Sequence, residues 1–142
     1  MIGNASSDDK LEFASGLGMD VGINYTRQNV VEEVLRATGD AGVDVVFEHV
    51  GGASFQFALD SLAKDGRLVT CGAHAGEVVP FDVIPFFRAQ KSVIGSFVFT
   101  REEVSTCLAL AAAGRIKPLV HTTFPLDQAR EAMALMERRE HF

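Results

Sequence analysis

GVDVVFEHVGG, residues 42–52, is the stretch whose reading decides the fold. Val45 and Val46 put valine on both faces of an extended run, and the run ends at the glycine pair Gly51 and Gly52. A strand that is apolar on both faces belongs inside a parallel sheet covered by helices on each side. The next segment, ASFQFALDSLAKDG, has helical spacing: Phe55, Ala58, Leu59 and Leu62 fall at i, i+3, i+4 and i+7. On the other side of the strand lies a second helix, NVVEEVLRATG. Asn29 and Glu32 stand at capping-box spacing, Val31, Val34 and Leu35 form the apolar face, and Gly39 ends it.

The same alternation extends in both directions. Further strands are predicted at residues 1–3, 21–25, 67–71 and 92–97, beside the one at 43–49. Ser6 or Ser7 caps a helix whose first turn holds Asp8 and Asp9. Thr100 and Glu103 form a capping box for a helix stopped by Gly114, with Val104, Cys107, Leu108 and Ala111 on its expected buried face. Strand and helix in turn predict an α/β fold with a doubly wound parallel sheet. After Gly114 the pattern changes. RIKPLVHTTFP reads as a short extended stretch, and one more helix comes after it with Leu126, Ala129, Met133 and Met136 on one face.

Bulk properties narrow the function. A chain of 142 residues fits one domain, or one domain and part of another. A net charge of −6 argues against nucleic acid as a partner, because such binders carry a basic face. The two cysteines, Cys71 and Cys107, form no CxxC, so neither a zinc knuckle nor a disulfide scaffold is expected, and a reducing, cytoplasmic setting fits. No apolar run approaches the ~18 residues of a membrane span, and no secretion signal opens the chain.

In open α/β sheets the ligand lies beyond the carboxyl ends of the strands. Those ends are glycine-rich here, as the close approach of a flat ligand requires. A dinucleotide is the expectation, although the phosphate-binding GxGxxG turn is missing. GLGMDVG, from Gly16 to Gly22, follows a helix and precedes a strand, whereas the fingerprint follows a strand and opens a helix. It reads as a helix end and a turn.

Four stretches together carry a resemblance: GVDVVFEHVGG, ALDSLAKDGRLVTCGAHAG, FFRAQKSVIGSF and GRIKPLVHTTFPLDQAREAMALMERREHF. In order and spacing they resemble the medium-chain dehydrogenase/reductase family, and within it the zinc-type alcohol dehydrogenase and quinone oxidoreductase-like branch. The resemblance implies a Rossmann-like sheet in which residues 1–3 correspond to the second strand. The first strand, its glycine-rich turn and most of a catalytic domain would precede them, and a short strand would follow the end. Residues 1–117 would then be a partial dinucleotide-binding domain. Residues 118–142 would be a strand and helix that return to the catalytic domain. With the usual order 3-2-1-4-5-6 the missing strand is central, so its neighbours either face each other across a gap or pair directly.

The resemblance also implies a cofactor and its contacts. NAD-binding members carry an acid at the end of the second strand. Here that end reads Asn4, Ala5, Ser6, Ser7, which leaves room for the 2′-phosphate of NADP(H), favoured over NAD(H). Ser6, Ser7, Lys10 and Tyr25 match the positions that hold that phosphate in quinone oxidoreductase-like relatives, with Asp8 and Asp9 as opposing charges. Against this stands a plainer reading, in which Ser7 is only a helix cap, Lys10 a solvated residue and Tyr25 strand filler. His49, Val50 and Gly51 would approach the adenosine and ribose. Cys71, Gly72 and Ala73 would lie under the nicotinamide ribose. Phe97, Val98 and Phe99 would offer backbone groups to the carboxamide, or the two phenylalanines would be core.

No metal is expected on this chain. His49 and His74, with Glu48 or Cys71, could imitate a zinc site, but their spacing matches no ligand pattern. No GxSxG motif supports a nucleophile. The implied function is the NADP(H)-binding part of an oxidoreductase acting on a small-molecule carbonyl, alcohol, quinone or enone, with no catalytic residue of its own. A dimer through the edge strand between Ser92 and Phe97 is the implied assembly. The alternatives are a non-catalytic nucleotide-binding or structural remnant and a fragment of a Rossmann-like methyltransferase.

Overall fold

A computed structural model describes residues 1–141. The chain separates into two compact units, the first Met1–Val98 and the second from Phe99 onward. The first unit runs β1 (Ile2–Ala5), α1 (Asp8–Gly16), β2 (Val21–Asn24), α2 (Val30–Thr38), β3 (Val43–Glu48), α3 (Ala53–Asp60), β4 (Leu62–Thr70), α4 (Val83–Arg88) and β5 (Ser92–Gly95).

Local chemistry sets the helix ends. The Ser7 hydroxyl accepts from the Lys10 amide, and the Asn29 side chain accepts from the amides of Val31 and Glu32. Gly39 closes α2 in the left-handed conformation at φ 60°, which glycine adopts without a Cβ clash. One helix escaped the sequence reading. α4 is capped by Asp82 and carries Pro85 in its first turn, where a missing N–H leaves nothing unbonded.

All strand pairs are parallel, as the α/β reading requires. They do not form one sheet. β1 pairs with β2, β3 with β4 and β4 with β5, and no ladder bond joins β1 to β3 among the described residues. Of the two outcomes the resemblance allowed, the gap is the one found. α2 packs against α3 and links the two ladders. The core lies under α3, where Ala58, Leu59, Leu62 and Leu68 are buried against Val43, Val46, Phe55 and Phe86.

Some expectations need correction. Most strands were expected to be apolar on both faces, with helices covering each side. Val45 is 51% and Phe47 68% exposed on β3, because α3 covers only the other face of that strand, and all four residues of β5 are exposed on both faces. The helix expected through residue 66 ends at Asp60, and β4 starts at Leu62. Its register against β3 jumps between Val43 and Val45, with Asp65 at φ 63° turning the chain ahead of the regular pairing.

The second unit holds α5 (Arg101–Ala112), a 3₁₀ turn (Leu126–Gln128) and α6 (Ala129–Glu137). The capping box at α5 is formed in both directions: Thr100 accepts from the Glu103 amide, and the Glu103 carboxylate accepts from the Thr100 amide. The stretch expected to be extended, residues 115–125, forms no strand among the described residues. The expected faces are not the buried ones either. Val104 and Ala111 are half-buried, but Cys107 and Leu108 are exposed. On α6 the half-buried residues are Ala132, Ala134 and Leu135, while Met133 and Met136 face solvent.

Candidate functional site

The carboxyl ends of the first unit's strands carry two clusters. The first lies where β1 leaves for α1 beside the end of β2. Ala5 pairs with Asn24, and the Tyr25 amide donates to the Ala5 carbonyl at 3.2 Å. Ser6, Ser7 and Tyr25 therefore occupy adjacent strand ends. The two serines are half-buried, and Tyr25 is 44% exposed. No acid stands at the end of β1, since Asn4 and Ala5 fill that place.

The Asp8 carboxylate is engaged at the end of β2. Its Oδ1 accepts from Asn24 Nδ2 at 2.9 Å and from Arg27 Nη2 at 2.6 Å. The Asn24 amide, with the Arg27 guanidinium beside it, holds the Asp8 carboxyl below its ordinary pKa. Asn24 is itself buried, and its Oδ1 accepts from the amide and the hydroxyl of Thr26. Neither Asn24 nor Arg27 was singled out from the sequence. An asparagine closing an apolar strand, followed by Thr and Arg, was the available signal, because such a side chain bonds its own turn.

The second cluster joins the ends of β3 and β4. Cys71 N–H donates to the Glu48 carbonyl at 3.2 Å, Ala75 N–H to the Val50 carbonyl at 2.7 Å, and Gly52 N–H to the Gly76 carbonyl at 3.1 Å. The loops touch closely enough that only glycine fits. A Cβ on Gly72 would lie 2.4 Å from the His49 carbonyl oxygen, and one on Gly51 would lie 2.5 Å from that of Gly76. His49, Cys71 and Ala73 are exposed on this floor, Val50 and Gly72 are half-buried, and Gly51 is buried. Glu48 lies beneath it, 4% exposed.

At the end of β5, Ser96 N–H donates to the Thr70 carbonyl at 2.9 Å. Phe97 and Val98 beyond it are 89% and 69% exposed, which removes the reading of Phe97 as core. Phe99 is also exposed and begins the second unit. The structure thus brings Ser6, Ser7 and Tyr25 together on one pair of strands, and His49–Gly51 and Cys71–Ala73 on another.

GLGMDVG does end a helix and make a turn: Leu17 caps α1, Gly18 takes φ 103°, and β2 begins at Val21. Among the described residues no group of three His, Cys, Asp or Glu side chains is placed to hold a metal ion. Zinc therefore finds no fitting donor set among the described residues. A dinucleotide fits better. The glycine-packed floor at β3 and β4 and the hydroxyl-bearing ends of β1 and β2 suit a flat ligand that carries phosphate. No helix among the described residues is long and apolar enough to cross a membrane.

A parallel α/β unit with glycine loops at its strand ends is of the nucleotide-binding class. The chain belongs to the zinc-binding dehydrogenase family, whose pattern matches residues 1–113, within the medium-chain dehydrogenase/reductases. It is 31% identical to quinone oxidoreductase-like protein 2 of Bos taurus, with 99% of this chain covering 43% of that protein. It is 34% identical to a 2-haloacrylate reductase of a Burkholderia species, covering 99% of this chain and 45% of the relative. A solved structure described as an NAD-dependent alcohol dehydrogenase superposes with a TM-score of 0.87 at 34% identity, covering 99% of this chain and 41% of that one. The chain therefore spans about two-fifths of the length of these relatives.

Proposed function

We propose that this chain supplies the dinucleotide-binding part of an oxidoreductase that passes hydride between a nicotinamide cofactor and a small carbonyl, alcohol, quinone or enone. The cofactor carries the chemistry, and the protein binds and orients it. NADP(H) is favoured over NAD(H). The observation that carries this preference is the end of β1, which offers Ser6 and Ser7 where an acid would repel a 2′-phosphate, with Tyr25 adjacent and Asp8 engaged by Asn24 and Arg27. Lys10, one helical turn on, supplies the pairing cation. The similarity to a 2-haloacrylate reductase supports an activated alkene as one substrate class. The similarity to a structure described as NAD-dependent pulls toward the other cofactor.

His49, Val50 and Gly51 then lie near the adenosine and ribose, Cys71, Gly72 and Ala73 under the nicotinamide ribose, and the Phe97–Phe99 backbone near the carboxamide. The exposed strand β5 pairs with its copy in a dimer, in a cytoplasmic, reducing setting. Substrate groups come from outside this chain, so the chain alone binds without turning over.

Calorimetric titration with NADPH and with NADH, alongside mass in solution, tests the proposal. NADPH binding at least about tenfold tighter, a difference of about 1.4 kcal/mol, supports it. NADH binding as well or better overturns the cofactor preference. Binding of neither, with a stable oligomer, favours the structural-remnant reading.

A further inference from the structure

Glu48 is the buried acid of the first unit, and nothing in the proposed reaction uses it. Its Oε1 accepts from two successive backbone amides, Val50 at 2.7 Å and Gly51 at 2.8 Å. Its Oε2 lies 3.4 Å from the Thr70 hydroxyl, at the end of the neighbouring strand. One carboxylate thus reaches the turn after β3 and the last residue of β4. Above it the same two segments are tied by Cys71 to Glu48, Ala75 to Val50 and Gly52 to Gly76.

We propose that Glu48 is a positioning residue that locks the 49–52 turn to the 72–76 loop and so sets the floor of the dinucleotide crevice. The inference rests on the dinucleotide reading above. The amides of Val50 and Gly51 point inward to the carboxylate, and the Val50 carbonyl is taken by Ala75. The turn therefore recognises its ligand by shape and by the His49 side chain, not by these two N–H donors.

The chemistry separates two substitutions. Glu48→Ala leaves two amides without their acceptor in a turn where Gly51 is buried, and such groups are costly to leave unmet. Glu48→Gln keeps one carbonyl oxygen for both amides and turns an NH₂ toward the Thr70 hydroxyl, which accepts. Hydrogen–deuterium exchange on the chain, with NADPH and NADH titrations, reads both.

In Glu48→Ala, exchange at 49–52 and 72–76 rises together by about tenfold while β1 and β2 stay protected, and dinucleotide affinity falls by about tenfold. Glu48→Gln stays within about threefold of the parent in both readouts. Thr70→Val raises exchange in the same two loops by about twofold, and decides the matter if Glu48→Ala does not fold. The proposal is overturned if Glu48→Ala leaves both loops protected, if exchange rises uniformly along the chain, or if Glu48→Gln fails as badly as Glu48→Ala. A parent chain that binds neither dinucleotide refutes the cofactor reading, and the exchange measurements then decide Glu48 alone.

Discussion

A single methyl group at Gly72 tests how tightly the two crevice loops are joined. The Cβ of Gly72→Ala would sit 2.4 Å from the His49 carbonyl oxygen and 3.3 Å from its carbon. Ordinary contact begins at 3.4 Å, so the loops must part by about 1 Å, and backbone on both sides has no rotamer with which to yield. That movement falls on the bonds from Cys71 to the Glu48 carbonyl and from Ala75 to the Val50 carbonyl, now 3.2 and 2.7 Å. Losing both, at about 1 kcal/mol each, gives a destabilisation of about 2 kcal/mol. For a unit of this size the thermal midpoint then falls by about 8–16 °C, at about 4–8 °C per kcal/mol. Circular dichroism melts of Gly72→Ala and of Gly95→Ala, side by side, make the assay. Gly95 has open space where its Cβ would go, so its variant stays within about 1 kcal/mol of the parent. A Gly72→Ala midpoint within about 2 °C of the parent, or an equal fall in Gly95→Ala, would refute the reasoning.

Leu68 is fully buried in the core under α3, so Leu68→Ala costs about 2–5 kcal/mol in urea unfolding. Removing the α5 cap with Thr100→Ala costs about 1 kcal/mol, seen as faster amide exchange over residues 101–104. Asp8, Glu33 and Glu103 have carboxyls held below their ordinary values, Asp8 by Asn24 and Arg27, Glu33 by Arg36, and Glu103 by the Thr100 amide. Their contribution is complete above the ordinary values of 3.8 and 4.5 and is lost as pH falls through the lowered ones. Denaturant midpoints taken down a pH series drop in that acid range, and Asp8→Asn makes the drop shallower.

Where local chemistry decides, the sequence was readable. Ser7, Asn29 and Thr100 cap the helices expected of them, and Gly39 closes α2, because each satisfies backbone groups within a few residues. The parallel strands were readable from short runs rich in Val and Ile alternating with helical patterns. Burial was not. Val45, Phe47 and Leu108 are apolar and exposed, since hydrophobicity states what a side chain needs covered and not whether cover is present. α4 was hidden by its brevity and by Pro85. The grouping of Ser6, Ser7 and Tyr25 came from the family resemblance, and the pairing of β1 with β2 sets them on adjacent strand ends. The role of Glu48 depended on which amides turn inward after β3, which is tertiary geometry that no spacing encodes.

The separation of the two ladders bears on how the chain acquires its structure. Every strand partner lies only 19 to 25 residues away along the chain. A doubly wound sheet with a central first strand must close a longer loop before its halves meet, and loop closure slows folding as contacts become less local. Here β1 meets β2 after one helix, and β3 meets β4 after one helix. Each ladder can therefore zip as it leaves the ribosome, without waiting for the other. Within the described residues, then, each ladder closes on contacts with its nearest neighbours along the chain, and neither depends on pairing with the other.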